Sequence, residues 1–300
     1  MTPIARRTAA ALGLLAASAT QASAAADIQR VVSPGGIEAW LVEEPAIPMV
    51  AMELSFQGGS SLDPEGDEGA ANFLAGMLEE GAGELDAVEF AESAQLLGAR
   101  FGFDAGRDTV SISARMLSEA TRESVELLRL ALAEPRFDET AMERVRGQIL
   151  SSIRSDDSDP RALASEAWWS AAFPDDPYGR PVEGTRDSVA ALTADDLRAT
   201  RDRVLNAGAV KIGVVGDITA EELGPLLDTL LGDLPREDAP ELPEARFANA
   251  GDLSVAPFDA PQSTVMFGHE GPLRDDEDFI PLYVLNYILG GGGFSSRLTV

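Results

Sequence analysis

Asn72, Ala75, Gly76 and Glu79 stand at i, i+3, i+4 and i+7 of one short stretch. On a helix, that spacing lets two imidazoles and a carboxylate meet a zinc ion and its bound water. Here the first three places hold a neutral amide, a methyl group and a hydrogen atom. None of these can hold a divalent cation or take a proton from water. The interleaved residues Ala70, Phe73, Leu74, Met77 and Leu78 are apolar and recur at three-four spacing, which predicts a helix with one buried face. Glycines bracket it at Gly69 and Gly81, and Glu79 and Glu80 read as solvated residues at its end.

Little else in the chain offers catalytic chemistry. There is no cysteine, so thiol nucleophiles, Cys ligands and disulfides are excluded. His269 is the only histidine, and one imidazole cannot rebuild a site that needs two, so a structural role is expected for it. Tyr178, in the loop 175–181, reads as a packing residue. Gly213 and Gly216 follow a strand but lack the spacing of a dinucleotide fingerprint. Composition narrows the partners: 51 acidic against 23 basic residues give a formal charge of −28, which argues against nucleic acid.

The elements that position these residues alternate between sheet and helix. Residues 1–25 read as a secretory signal, with Arg6 and Arg7, an apolar run over 9–17 and a small-residue cleavage site at Ala22-Ser23-Ala24. That run is too short to stay in a bilayer, so an exported chain, periplasmic or secreted and without membrane insertion after cleavage, is expected. Strands are expected between 28 and 56, then over 100–104 and 108–114 around a tight turn at 105–107. Asp86 with Glu89 predicts a capped helix from Ala87 to near Gly98, and Thr219 with Glu222 predicts another after an apolar strand over 209–215. Further helices are expected after Ser118 and Asp138 as caps, after Pro160, and after Thr193.

The strand 50–56, Gly58-Gly59, Ser61, the acidic turn and the 70–78 helix resemble the amino-terminal motif of the pitrilysin/insulinase family of zinc metallopeptidases, which includes the mitochondrial processing peptidases. Active members carry His-x-x-Glu-His where this chain has Asn72-Phe73-Leu74-Ala75-Gly76. The resemblance makes Asn72 and Gly76 the places of two zinc ligands and Ala75 that of the general base. It puts a further glutamate ligand at Ser152, in the segment 148–160. No metal and no cofactor is therefore expected.

The same resemblance implies an α+β fold: a mostly antiparallel sheet with helices packed on one face, the α/β-roll of the peptidase family. The expected organisation is a first metallopeptidase-like domain over 27–234, a Pro/Glu/Ala-rich linker over 235–257 and the beginning of a second, truncated copy over 258–300. In that copy, 264–271 echoes the strand at 52–59, and a helix is expected over 279–289. Gly290, Gly291, Gly292 and Gly293 read as a substrate-binding loop or, with better warrant, as a helix C-cap and turn.

Loss of both ligand imidazoles, the base and the last carboxylate leaves background hydrolysis only. The expected function is thus an exported, non-catalytic subunit that pairs with an active zinc-peptidase homologue as a heterodimer and helps to enclose extended peptides. Two alternatives stand beside it: a scaffold protein of the same fold without a role in proteolysis, and an active metalloendopeptidase using an unrecognised site.

Overall fold

The structure is a computed structural model that describes residues 27–248, 251, 253–259 and 261–299. The secretory signal expected over 1–25 lies outside the described residues. Among the described residues eight strands are formed: β1 (Gln29–Val32), β2 (Glu38–Glu43), β3 (Met49–Gln57), β4 (Gly81–Ala82), β5 (Leu85–Asp86), β6 (Arg100–Ala105), β7 (Thr109–Leu117) and β8 (Val210–Gly216). Six of them make one sheet in the order β1-β2-β8-β3-β7-β6, while β4 and β5 pair with each other. All pairings in the large sheet are antiparallel except β2 with β8. Strand β8, from the far end of the domain, thus inserts between two early strands.

Strict alternation along the strands sorts the two faces of the sheet. Val50, Met52, Leu54 and Phe56 of β3 are buried, as are Val110, Ile112, Ala114 and Met116 of β7. The helices cover this face only. They are α1 (Ala70–Met77), α2 (Ala87–Leu96), α3 (Thr121–Ala133), α4 (Glu139–Asp156), α5 (Pro160–Ala172), α6 (Arg186–Ala191), α7 (Ala194–Val204) and α8 (Ala220–Leu231). Phe73, Leu74 and Met77 of α1, Val125 and Leu128 of α3, and Leu223, Leu227 and Leu230 of α8 join the strand residues in one core. The opposite face presents Trp40 and Val215, each about half exposed, with Ala51 and Glu53 between neighbouring strands. This is the expected α+β architecture.

Local chemistry fixes most helix starts. Asp86 accepts from the N–H groups of Val88 and Glu89 while the Glu89 carboxylate accepts from the Asp86 N–H, and Thr193 and Thr219 cap α7 and α8 in the same reciprocal way. Two expected caps differ. Ser118 does not cap α3, because a 3-10 turn over Ser118–Ala120 intervenes and the helix begins at Thr121. Asp138 stands at the cap position of α4 without capping it, since its carboxylate is engaged by Arg136 at 2.7 Å.

Beyond α8 the chain first stays attached. Asn206 donates to the carbonyls of Glu237 and Asp238, Gln57 donates to that of Pro240, and Phe247 meets Phe173 edge-on at 5.9 Å. Farther on, no strand forms over 264–271 among the described residues. Helix α9 (Phe279–Asn286) does form and continues as a π-turn over Tyr287–Gly291. His269 is exposed.

Candidate functional site: a remodelled metal-site helix

Helix α1 is held over the sheet by its apolar stripe and flanked by α4, α7 and β6. Its amino terminus has no side-chain cap of its own, because Gly69 occupies the cap position in the left-handed region at φ 90°. Asp63 supplies one from the preceding loop. Its carboxylate accepts from the N–H groups of Gly69 at 3.0 Å and Ala71 at 3.2 Å, with Arg203 of α7 at 3.6 Å. Asp63 is buried, and that desolvation pushes its pKa from 3.8 to about 7 against the pull of Arg203 and the helix N–H groups.

The motif positions face a different environment from a metal site. Ala75 is buried within the apolar core, and Asn72 and Gly76 are half-buried. Across from them, α4 presents Val145 and Ile149, and a Cβ on Gly76 would lie 3.0 Å from Val145 Cγ1. Ser152, one turn farther along α4, is exposed to solvent. The residues present therefore do not fit zinc: no carboxylate, imidazole or thiolate occupies any of the four places, and apolar packing fills the gap between the helices. Among the described residues, no three His, Cys, Asp or Glu side chains gather as a metal ion would require.

Nearby charges serve packing. Arg146 of α4 lies over the Phe73 ring at 5.2 Å, and it donates to the Leu192 carbonyl at 3.0 Å and to that of Val189. Glu80, expected as a solvated residue, is instead paired with Arg144 of α4. Glu79 is exposed as expected. Partial desolvation of its carboxyl and the neighbouring Glu80 raise its pKa.

A polar cluster missed by the sequence reading lies where the β6–β7 turn meets the loop after α5. The Tyr178 hydroxyl donates to Asp108 Oδ1 at 2.7 Å, and the Ser61 hydroxyl donates to the same oxygen at 3.1 Å. Burial and the Asp108 charge raise the Tyr178 pKa well above the ordinary phenol value. Arg107 places its guanidinium 3.9 Å from the Trp169 ring centroid. These residues are scattered over 61–178, so only the tertiary fold brings them together. Of the glycine run, Gly290 and Gly291 close the π-turn that follows α9 and Gly293 opens a 3-10 turn, after which Arg297 and Leu298 donate backbone N–H groups to the carbonyls of Ile288 and Leu289.

Two family models match successive parts of the chain. The family model described as Insulinase (Peptidase family M16) matches residues 39–186, and the one described as Peptidase M16 inactive domain matches 191–300. The chain belongs to peptidase family M16. Among M16 relatives, it is 29% identical over 257 residues to a Helicobacter pylori protein named non-peptidase homolog YmxG, covering 85% of this chain and 59% of that protein. It is 26% identical over 254 residues to an uncharacterized zinc protease of Rickettsia bellii, covering 85% and 61%. A solved M16 inactive domain from Pseudomonas fluorescens superposes with a TM-score of 0.76 at 26% identity, covering 91% of this chain and 66% of that one. The chain thus spans about 60% of the length of these curated M16 relatives.

Proposed function

We propose that this chain is a non-catalytic M16 subunit, exported from the cell, that pairs with an active homologue and helps to enclose extended peptides. The observation that carries the reading is the fate of α1: the helix and its supports are kept, while its ligand and base positions hold Asn72, Ala75 and Gly76, the last of which closes on Val145. Hydrolysis by the family's route requires a metal to acidify water and a carboxylate to accept the proton. A domain that retains the scaffold without either contributes shape.

Peptide binding is supported by the edge of the sheet. Strand β6 is hydrogen-bonded on one side only, to β7, and lies against α1. Its free backbone groups can accept an extended segment as an added strand. The glycine turn Gly290–Gly293 is a second, weaker candidate for contact with peptide. Export rests on the residues of the 1–25 segment.

The experiment is co-purification of the full-length protein with M16 proteins carrying an intact His-x-x-Glu-His, followed by peptide hydrolysis with and without this chain. A stable complex whose hydrolysis exceeds that of the active partner alone is expected. A strictly solitary protein sinks the pairing, and a complex with unchanged hydrolysis favours the scaffold reading. Chelator-sensitive cleavage by this protein alone overturns the non-catalytic assignment.

A further inference from the structure

A cavity of about 590 Å³ opens between the carboxy-terminal end of α4, helix α5 and the segment 179–187, which runs into the start of α6. Arg107 and Trp169 stand together in its wall. Trp169 is fixed in turn, stacked on Phe173 at 5.4 Å and edge-on to Trp168 at 5.1 Å. Arg107 Nε donates to the Tyr178 carbonyl at 3.2 Å, which sets the plane of the guanidinium and leaves its two amino groups for another partner.

The charges around it are unevenly satisfied. The other two arginines of the cavity are held, Arg186 by Asp157 and Arg180 by Glu68 at 3.9 Å. Arg107 forms no ion pair among the described residues, although burial disfavours its charge and lowers its pKa. Glu183 and Asp108 act on it only from beyond pairing distance, and Asp108 already accepts from Tyr178 and Ser61. A half-buried guanidinium that is stacked, oriented and unpaired matches the bidentate geometry of a carboxylate. The wall also carries Asp156, Glu166 and Asp187, so a polyanion is repelled and a cation beside the carboxylate is favoured.

We infer that this cavity receives a peptide segment bearing an acidic residue next to a basic one, with the acidic side chain on the amino groups of Arg107. The inference rests on the peptide-enclosing reading above and adds a sequence preference to it.

The test is calorimetric titration of the full-length protein and its Arg107→Gln and Arg107→Lys variants with N-acetyl-Glu-Lys-amide and N-acetyl-Gln-Lys-amide, with unfolding curves confirming that each variant folds. The Glu peptide is expected to bind at least about tenfold more tightly than the Gln peptide, in keeping with one charge-assisted pair, and Arg107→Gln is expected to erase the difference. Arg107→Lys is expected to restore only part of it. Equal binding of the two peptides, or a preference that survives Arg107→Gln, overturns the assignment while leaving peptide enclosure standing. Failure of these and of longer peptides to bind at all overturns both.

Discussion

Gly76 of α1 and Val145 of α4 approach so closely that a Cβ on the glycine would lie 3.0 Å from the valine Cγ1. The contact closes the place where one metal ligand would stand. Installing ligands is therefore expected to fail for steric as well as chemical reasons. The combined variant Asn72→His, Ala75→Glu, Gly76→His, Ser152→Glu is expected to bind zinc substoichiometrically, and Gly76→His alone to cost about 1–3 kcal/mol through overpacking. Metal analysis and urea unfolding check the two halves separately.

Asp63 makes stability depend on pH. Its folded pKa of about 7 lies above the unfolded value of 3.8, so the folded state holds a proton that the unfolded state releases. Its contribution is fully present below pH 4, declines as pH rises, and is lost above about 7, with a slope of up to about 1.4 kcal/mol per unit. The raised Glu79 has the same sign. Urea midpoints of the parent are expected to fall from pH 5 to pH 8, and Asp63→Asn is expected to flatten that dependence. A midpoint that rises over this range contradicts the assignment.

Gly69 and Gly184 meet back to back at the entrance of α1. A Cβ on Gly69 would come 2.5 Å from the Glu183 carbonyl oxygen, and one on Gly184 would come 2.2 Å from that of Glu68. Both residues have positive φ, at 90° and 80°. Gly69→Ala and Gly184→Ala are each expected to destabilise by more than about 1 kcal/mol, since strain adds to the clash. Thermal unfolding measures this, and a neutral result for both removes the close approach.

Tyr178→Phe deletes the hydroxyl donor to Asp108 and leaves Ser61 as the remaining side-chain hydroxyl donor to that carboxylate. A loss of roughly 1.5–3 kcal/mol is expected for a hydrogen bond to a charged group. Double-mutant analysis with Asp108→Asn isolates the pair, and additive losses would show that the two side chains do not act together.

Much of the fold was legible because its signals are local. The boxes at Asp86 and Thr219 form as read, and the strands expected over 100–104 and 108–114 are β6 and β7. Ser118 misled because a hydroxyl before a helix can also precede a 3-10 turn, and the preference does not separate the two. The insertion of β8 between β2 and β3 joins residues more than 150 positions apart, and no local pattern encodes it. The empty ligand positions were visible as residue types. The approach of Val145 to Gly76 was not, because nothing in the spacing of α4 tells which of its residues meets that glycine. The Arg107–Trp169 stack escaped for the same reason, since it joins side chains from segments distant in sequence, whereas the Asp63 cap escaped because it reaches N–H groups six and eight residues ahead, beyond the two or three of an ordinary cap.

The Gly76–Val145 contact also changes what evolution can vary there. A hydrolytic centre conserves charge and tolerates no exchange of its ligands, whereas an interhelical joint conserves bulk. Homologues that share this joint are expected to interchange glycine, alanine and serine at 72, 75 and 76 while compensating at 145, leaving a record of mechanical fit in place of a record of chemistry.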